Sequence, residues 1–168
     1  MSRFSKRDLS LAVKAKRGRA NYSLRIITEA RRNNVPISLA FAIVEQESNF
    51  RNVFGHDPTS SIPQSWKGSR VTKTKYKTYK SRRAGHGAQG VGPMQLTWPG
   101  FQDEADKLGG CWRPKYNIMV GMEHLGKLLK ANTSTQKAVA AYNGSGQAAI
   151  NYAHAVALRQ ARWHERLA

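Results

Sequence analysis

The sequence predicts a mainly α-helical fold with a small irregular or β-containing insert. Apolar residues recur at helical spacing on both sides of residues 49–92, and that stretch is instead rich in Gly, Pro, Ser and Lys. Hydrophobic residues make up 40% of the 168 residues, which is enough to bury a core and excludes a wholly disordered chain. The length suits one domain, or one domain and a short tail.

The elements before the insert follow from periodicity and helix-start signals. Residues 1–22 are predicted to form a basic arm or a frayed helix, because they carry little apolar periodicity. A helix is predicted from Ser23, as N-cap, to about residue 33. Pro36 suits the first turn of the next helix, predicted over 37–46, which is apolar nearly all round and therefore buried.

Helical periodicity returns after residue 92. The predicted helices cover residues 100–108, 118–129, 135–142 and 147–162. The run Asn143-Gly144-Ser145-Gly146 predicts a break between the last two.

Positive charge is concentrated in two blocks. Lys and Arg number 28 against 10 Asp and Glu, which leaves a net charge of +18. Ten basic residues lie within 3–32, and eight lie within 67–83, a window that contains no acid. Such blocks are typical of a solvated surface, and an excess of this size also predicts a polyanionic partner, for which nucleic acid, anionic lipid and bacterial cell wall all qualify.

The second basic block is predicted to be a short exposed ribbon or an extended loop, within an insert of two or three short strands. Lys alternates with Thr or Tyr from residue 73 to residue 80, a period of two that is typical of strands. Tyr76 and Tyr79 are therefore candidates for stacking on bases or on sugar faces.

Several classes of protein are excluded or disfavoured. The longest apolar run, 36–44, is about half of the roughly 20 residues that span a bilayer. The apolar stretch at 9–13 is too short for a signal peptide, so we expect no secretion by that route. Cys111 is the only cysteine, which excludes an internal disulfide, and no two histidines have the i, i+4 spacing of a zinc pair. We expect no metal and no cofactor.

Glu47 is the residue whose position predicts chemistry. On a helical wheel it lies beside Ala40, Ile43 and Val44, at the C-terminal end of the buried helix. Desolvation and the negative end of the helix dipole both raise the pKa of a carboxyl group. A protonated carboxyl group there would be a general acid of the kind that cleaves glycosidic bonds. The alternative is a helix that ends early and leaves Glu47 solvated, like Glu45.

Three motifs in order resemble those of the soluble lytic transglycosylases and goose-type lysozymes, family 23 of the glycoside hydrolases. They are Ile43-Val44-Glu45-Gln46-Glu47-Ser48-Asn49-Phe50, Gly90-Val91-Gly92-Pro93-Met94-Gln95-Leu96 and Ala140-Ala141-Tyr142-Asn143-Gly144. The resemblance spans roughly residues 23–155. It implies a lysozyme-like α+β catalytic domain over 23–168, with a basic insertion at about 60–88 between the catalytic-acid helix and the Met-Gln motif.

The resemblance also implies roles for particular residues. Glu47 is the implied catalytic acid, or acid then base. The implied substrate-binding positions are Ser48, Met94, Gln95, Thr97, Tyr142 and Asn143. Two departures from the family pattern are the long insertion and Pro93, where Leu is usual. Phe54-Gly55-His56-Asp57 and Gly109-Gly110-Cys111-Trp112 further resemble muralytic domains of phages that infect Gram-positive hosts.

The implied activity is cleavage of the β-1,4 bond between N-acetylmuramic acid and N-acetylglucosamine in peptidoglycan, by a muramidase or a lytic transglycosylase. An inverting hydrolase needs a second carboxylate to activate water, whereas a lytic transglycosylase uses the 6-hydroxyl of the substrate itself. Asp57, ten residues after Glu47, is the best second carboxylate, and its alternative role is an Asx turn. Both reactions stay open, and Asp57 slightly favours the muramidase.

The expected partners are peptidoglycan glycan strands and, by charge, anionic cell-wall polymers. We expect a monomeric phage lysin, made in the host cytoplasm and acting on the cell wall after release by another factor or delivery with a virion. The alternative function is a basic nucleic-acid-binding module without catalysis. That alternative explains the charge but neither the Glu-Ser nor the Tyr-Asn pair.

Overall fold

The computed structural model describes residues 4–57, 61 and 66–168. Within these residues the chain forms eight α-helices, joined by loops that contain isolated β-bridges. The prediction of a mainly α-helical fold is confirmed. The helices are α1 (Lys6–Arg17), α2 (Ser23–Arg32), α3 (Ile37–Ser48), α4 (Lys73–His86), α5 (Pro99–Leu108), α6 (Pro114–Ala131), α7 (Thr135–Asn143) and α8 (Gly146–Leu167).

The helices group into two compact units, one formed by the chain up to Gln46 and from Met122 to Ala168, the other by Glu47–Gly121. The first unit holds α1, α2, α7, α8 and the adjoining parts of α3 and α6. In its core, the rings of Phe41 and Trp163 stack with their centroids 4.8 Å apart. The helices other than α1 and α4 occur where periodicity predicts them, with ends that differ by a few residues.

The N-terminal segment is helical. α1 begins with a capping box, in which the Ser5 hydroxyl accepts a hydrogen bond from the Asp8 backbone N–H at 3.1 Å. The Lys14 ammonium group donates to the Ala168 carbonyl at 2.7 Å, and Ala15 is fully buried. The sequence left open a basic arm or a frayed helix, and the structure shows a helix. The domain boundary at residue 22 stays a prediction.

The basic block of the second unit contradicts the sequence prediction. Residues 73–86 form α4 instead of an exposed ribbon, and the Thr72 hydroxyl caps it by accepting from the Lys75 backbone N–H at 3.3 Å. Tyr76 and Tyr79 are three residues apart, so they lie on one helix face, and both are fully buried. They pack in the core of this unit and are not available for stacking on bases or sugars.

Acidic residues of α5 bind the buried side of α4. The Tyr76 hydroxyl donates to Asp106 Oδ2 at 3.0 Å, and Lys80 Nζ lies 2.6 Å from the same oxygen. Arg83 Nη2 lies 2.7 Å from Asp103 Oδ1. These contacts join α4 to α5, which follows it in the chain. The sequence conceals them because the partners are 20 to 30 residues apart.

The expected short strands are reduced, in the part of the insert that the structure describes, to isolated bridges. Antiparallel bridges pair Val53 with Arg70, Phe54 with Val91, and Val91 with Leu96. Residues 58–60 and 62–65, at the start of the predicted basic insertion, lie outside the described residues. None of the described helices is both long enough and apolar enough to cross a membrane.

Candidate active site

Glu47 lies in the last turn of α3. The neighbours that the helical wheel predicts for it, Ala40, Ile43 and Val44, are all fully buried. Glu47 itself is half-buried. The carboxyl group therefore stands at the C-terminal end of an apolar helix and remains partly accessible to a ligand.

Ser48 fixes the end of α3 to the Met-Gln segment. Its hydroxyl donates to the Pro93 carbonyl at 2.8 Å and accepts from the Arg51 backbone N–H at 3.2 Å. The helix ends at Ser48 because Asn49 and Phe50 take left-handed backbone angles, with φ of 51° and 58°. A left-handed aromatic residue is uncommon, and burial of Phe50 at 2% exposure holds it there. The residue after Glu47 is thus anchored in position.

The Met-Gln segment is a tight turn between Val91 and Leu96. Their backbones exchange two hydrogen bonds, of 3.2 and 3.1 Å. Gly92 and Gln95 both take positive φ, 80° and 49°. The Gln95 side-chain amide donates to the Gly92 carbonyl at 2.9 Å and to the Val53 carbonyl at 3.0 Å. Gln95 therefore closes the turn and ties it to the loop that follows α3.

Asp57 lies against this turn. Its Oδ2 accepts a hydrogen bond from the Gly90 backbone N–H at 2.7 Å. A Cβ atom on Gly55 would lie 2.6 Å from that oxygen and 2.5 Å from Gln95 Oε1. The structure therefore brings Asp57, Gln95 and the glycines at 55 and 90 together, and the absence of side chains on the glycines makes the approach possible.

Asn117 is a supporting residue that the sequence analysis missed. It is fully buried, its Oδ1 accepts from the Met94 backbone N–H at 2.9 Å, and its Nδ2 donates to the Val91 carbonyl at 2.7 Å. Met94 is also fully buried. An Asn near a helix start has an ordinary capping interpretation, so nothing in the sequence singles it out.

Gln102 is the second residue that sequence reasoning missed. Its side-chain amide is buried and donates to the carbonyls of Leu96, at 2.8 Å, and Gln89, at 2.9 Å. The Tyr79 hydroxyl accepts from the Gln89 backbone N–H at 2.9 Å and lies 3.1 Å from Gln102 Oε1. Burial raises the pKa of Tyr79, so this hydroxyl stays protonated. The network braces the turn from the side of α4 and α5.

The remaining predicted positions are less enclosed. Thr97 is exposed, and its hydroxyl donates to the Gln95 carbonyl at 3.2 Å. Tyr142 and Asn143 belong to the first unit, where they end α7. The Tyr142 ring is half-buried with its centroid 5.5 Å from that of His124, and Asn143 is exposed.

Alternative chemistries find little support in the described residues. Burial is the main cause that raises the pKa of the Cys111 thiol to about 12, so it is a buried thiol and not a nucleophile at neutral pH. In the described ranges, no three His, Cys, Asp or Glu side chains are grouped as a metal site would require. What the arrangement offers is two half-buried carboxyl groups, those of Glu47 and Asp57, near a hydrogen-bonded turn, and Asp57 already accepts a backbone N–H of that turn.

Comparison with known families gives one match. Residues 25–164 match the family model described as the transglycosylase SLT domain. No curated protein and no solved structure matches the chain.

Proposed function

This chain belongs to the transglycosylase SLT domain family, and from that premise we propose that it is a peptidoglycan lytic transglycosylase with Glu47 as its catalytic acid. The bond cleaved is the β-1,4 linkage between N-acetylmuramic acid and N-acetylglucosamine. The observation that carries the proposal is the position of Glu47 in the last turn of an apolar helix. The residue after it, Ser48, is anchored to the Met-Gln turn.

In this reaction Glu47 acts twice. The protonated carboxyl group gives its proton to the glycosidic oxygen as the bond to the muramyl C1 breaks. The carboxylate then accepts the proton of the muramyl 6-hydroxyl as that oxygen bonds to C1. The products are a free N-acetylglucosamine hydroxyl end and a 1,6-anhydro-muramyl end, and no water is consumed. The proposed substrate-binding residues are Ser48, Met94, Gln95, Thr97, Tyr142 and Asn143. Met94 is fully buried, so its proposed part is to shape the turn and not to touch the sugar.

The contacts of Asp57 give it a structural role, as a single-acid reaction expects. One carboxylate oxygen of Asp57 already accepts the Gly90 backbone N–H at 2.7 Å, which is the contact of a loop-forming aspartate. The muramidase alternative, in which Asp57 activates water, predicts different products and is tested by the same experiment.

The deciding experiment is digestion of purified peptidoglycan followed by mass spectrometry of the fragments. We expect 1,6-anhydro-muramyl ends from the wild type and no cleavage by the Glu47→Gln variant. Reducing muramyl ends would establish a muramidase instead, and a wild-type protein without any turnover would contradict the enzyme assignment. The fold of the variant is checked by its melting temperature.

We further propose that anionic cell-wall polymers bind the solvent-facing side of α4. Lys73, Lys75, Lys77 and Arg82 are exposed there, and residues 58–102 contain no acid. A dense positive surface of this kind attracts polyanions and raises the local enzyme concentration on its substrate. It explains the net charge of +18 without a nucleic-acid partner.

The finer biological assignment, a phage lysin of Gram-positive hosts, rests on the Gly-His-Asp and Gly-Gly-Cys-Trp sequences. It would be made in the host cytoplasm as a monomer and act on the cell wall after release or virion delivery. Purified protein added to intact Gram-positive cells should lyse them, and the Glu47→Gln variant should not. If the enzyme digests isolated walls but does not lyse intact cells, the expectation that it acts from outside the cell is wrong.

A further inference from the structure

Trp98 is an exposed aromatic residue at a position where local structure favours a different residue. It is the N-cap of α5, with 60% of its surface exposed and no side-chain capping hydrogen bond. Ser, Thr, Asp or Asn at an N-cap typically stabilise a helix by about 1 kcal/mol relative to an apolar residue. Leaving an indole in water also forgoes the burial of a large apolar surface. Helix capping does not account for Trp98, and its packing leaves most of the side chain in water.

The indole is held in place although it is exposed. Its ring lies across Gly100, where a Cβ atom would come within 2.7 Å of Trp98 Cε3. Phe101 packs against it edge to face, with ring centroids 4.9 Å apart and an interplanar angle of 80°. A fixed, exposed aromatic ring loses little conformational entropy on binding a ligand.

The backbone of Trp98 is tied to the Met-Gln turn. Only Leu96 and Thr97 separate it from Gln95, a reach of at most about 11 Å. The buried Gln102 side chain donates to the Leu96 carbonyl at 2.8 Å, and the Gln102 backbone N–H donates to the Trp98 carbonyl at 3.3 Å. The ring therefore stands at a set position near the turn, within the length of a short oligosaccharide.

We propose that Trp98 is a sugar-binding platform on which one pyranose ring of the glycan strand stacks. This inference rests on the proposed function, because a strand bound at the Met-Gln turn is what brings a sugar within reach. The C–H bonds on one face of a pyranose form an apolar surface that covers an aromatic ring, while the hydroxyl groups at its edge stay in water. Trp98 offers such a ring, and the exposed Thr97 hydroxyl lies beside it in the chain.

The test measures binding separately from cleavage. Isothermal titration calorimetry of peptide-free N-acetylglucosamine–N-acetylmuramic acid oligosaccharides is performed in the Glu47→Gln background, so the ligand stays intact. Trp98→Ser should raise the dissociation constant by about 10-fold or more, by analogy with aromatic stacking on bases. Trp98→Phe should retain most of the affinity because it keeps a ring.

The same variants distinguish a platform from a structural residue. Trp98→Ser supplies a favoured N-cap, which offsets the packing lost against Phe101, so its melting temperature should stay close to that of its parent while binding falls. Leu108→Ala, at the other end of α5 with 47% exposure, is the matched control and should bind like its parent.

Two results would each overturn a different claim, the platform in one case and the proposed function in the other. Equal affinities of the Trp98→Ser protein and its parent would overturn the platform and leave the proposed function intact. No oligosaccharide binding by the parent, combined with no cleavage of peptidoglycan by the wild type, would overturn the proposed function itself.

Discussion

Glu45 and Glu47 are two residues apart on α3 and have different surroundings. Glu45 Oε2 accepts a hydrogen bond from the Trp163 indole N–H at 2.8 Å, and Arg162 Nη2 lies 3.8 Å from its other oxygen. The Glu45 carboxylate therefore serves the packing of α8. Phe41, one helical turn before Glu45, stacks on the same Trp163, so Glu45 is not the solvated acid that the sequence led us to expect.

Substituting each acid by its amide should separate catalysis from stability. We expect Glu47→Gln to abolish release of muropeptides with little change in melting temperature, because only the transferable proton is removed. Glu45→Gln should retain most activity and lose about 1 kcal/mol of stability, since the indole N–H keeps only a neutral acceptor. Turbidity of purified peptidoglycan and thermal unfolding measure the two effects, and equal activity losses at both positions would contradict the assignment of Glu47.

Asp57 offers a second prediction at the scale of one residue. Asp57→Ala should lower the melting temperature, because the Gly90 backbone N–H loses its acceptor. The reaction products should keep their anhydro ends, and added azide should not restore any lost rate. A general base would behave differently, with a rate loss of about 10²-fold or more and a stable fold in Asp57→Asn. Product analysis together with thermal unfolding distinguishes the two.

At the scale of the element, α3 and the Met-Gln turn were predictable from the sequence, and α4 was not. Six consecutive apolar residues over 39–44 predict a buried helix, and its predicted end at residue 46 lies two residues before the observed end at Ser48. In contrast, the alternation of Lys with Thr and Tyr fits a strand, and only the burial of Tyr76 and Tyr79 against α5 reveals the helix. Tertiary contacts overrode the local pattern there. The roles of Asn117 and Gln102 also depend on tertiary hydrogen bonds, which no local pattern indicates.

The contacts between α4 and α5 should make stability depend on pH. Asp103 lies 2.8 Å from Lys80 Nζ and 2.7 Å from Arg83 Nη2, and these hydrogen bonds lower the pKa of Asp103 below its ordinary value of 3.8. A carboxyl whose pKa falls on folding stabilises the fold above the unfolded pKa. That contribution is lost as the pH falls through the folded pKa.

Asp103→Asn should therefore lower the melting temperature at neutral pH, and the difference from wild type should shrink as the pH falls below the ordinary pKa of 3.8 and vanish below the lowered pKa of the folded state. The loss should be small, because 43% of the Asp103 side chain is exposed and solvent screens its ion pairs. Glu104→Gln is the matched control, since it removes the same charge from an exposed neighbour. A deficit that persists unchanged in acid would show that Asp103 acts by packing and not by charge.

At the scale of the whole molecule, the proposed binding of anionic cell-wall polymers rests on the net charge of +18, and the distribution of that charge defines the surface to test. Of the cations on α4, Lys80 and Arg83 are engaged by acids of α5. The exposed cations of α4 lie in a stretch, residues 58–102, that contains no acidic residue. α1 also carries exposed cations, but Asp8 in its first turn pairs with Arg31 and reduces the local field.

Two triple variants separate a local surface from total charge. One replaces Lys73, Lys75 and Lys77 of α4 by Gln, and the other replaces Lys6, Lys16 and Arg17 of α1 by Gln, so both lower the net charge by three. In the Glu47→Gln background, the α4 triple should bind isolated Gram-positive walls more weakly than the α1 triple.

The difference between the triples should be largest at low salt, because exposed charges act through a field that is screened over about 10 Å at 0.1 M. In the active background, cleavage of a short soluble glycan should barely change in either triple, since neither alters Glu47 or the Met-Gln turn. Equal weakening by the two triples would mean that total charge, not the α4 surface, drives attraction to the wall. Loss of DNA binding without loss of wall binding in the α4 triple would instead assign that surface to nucleic acid.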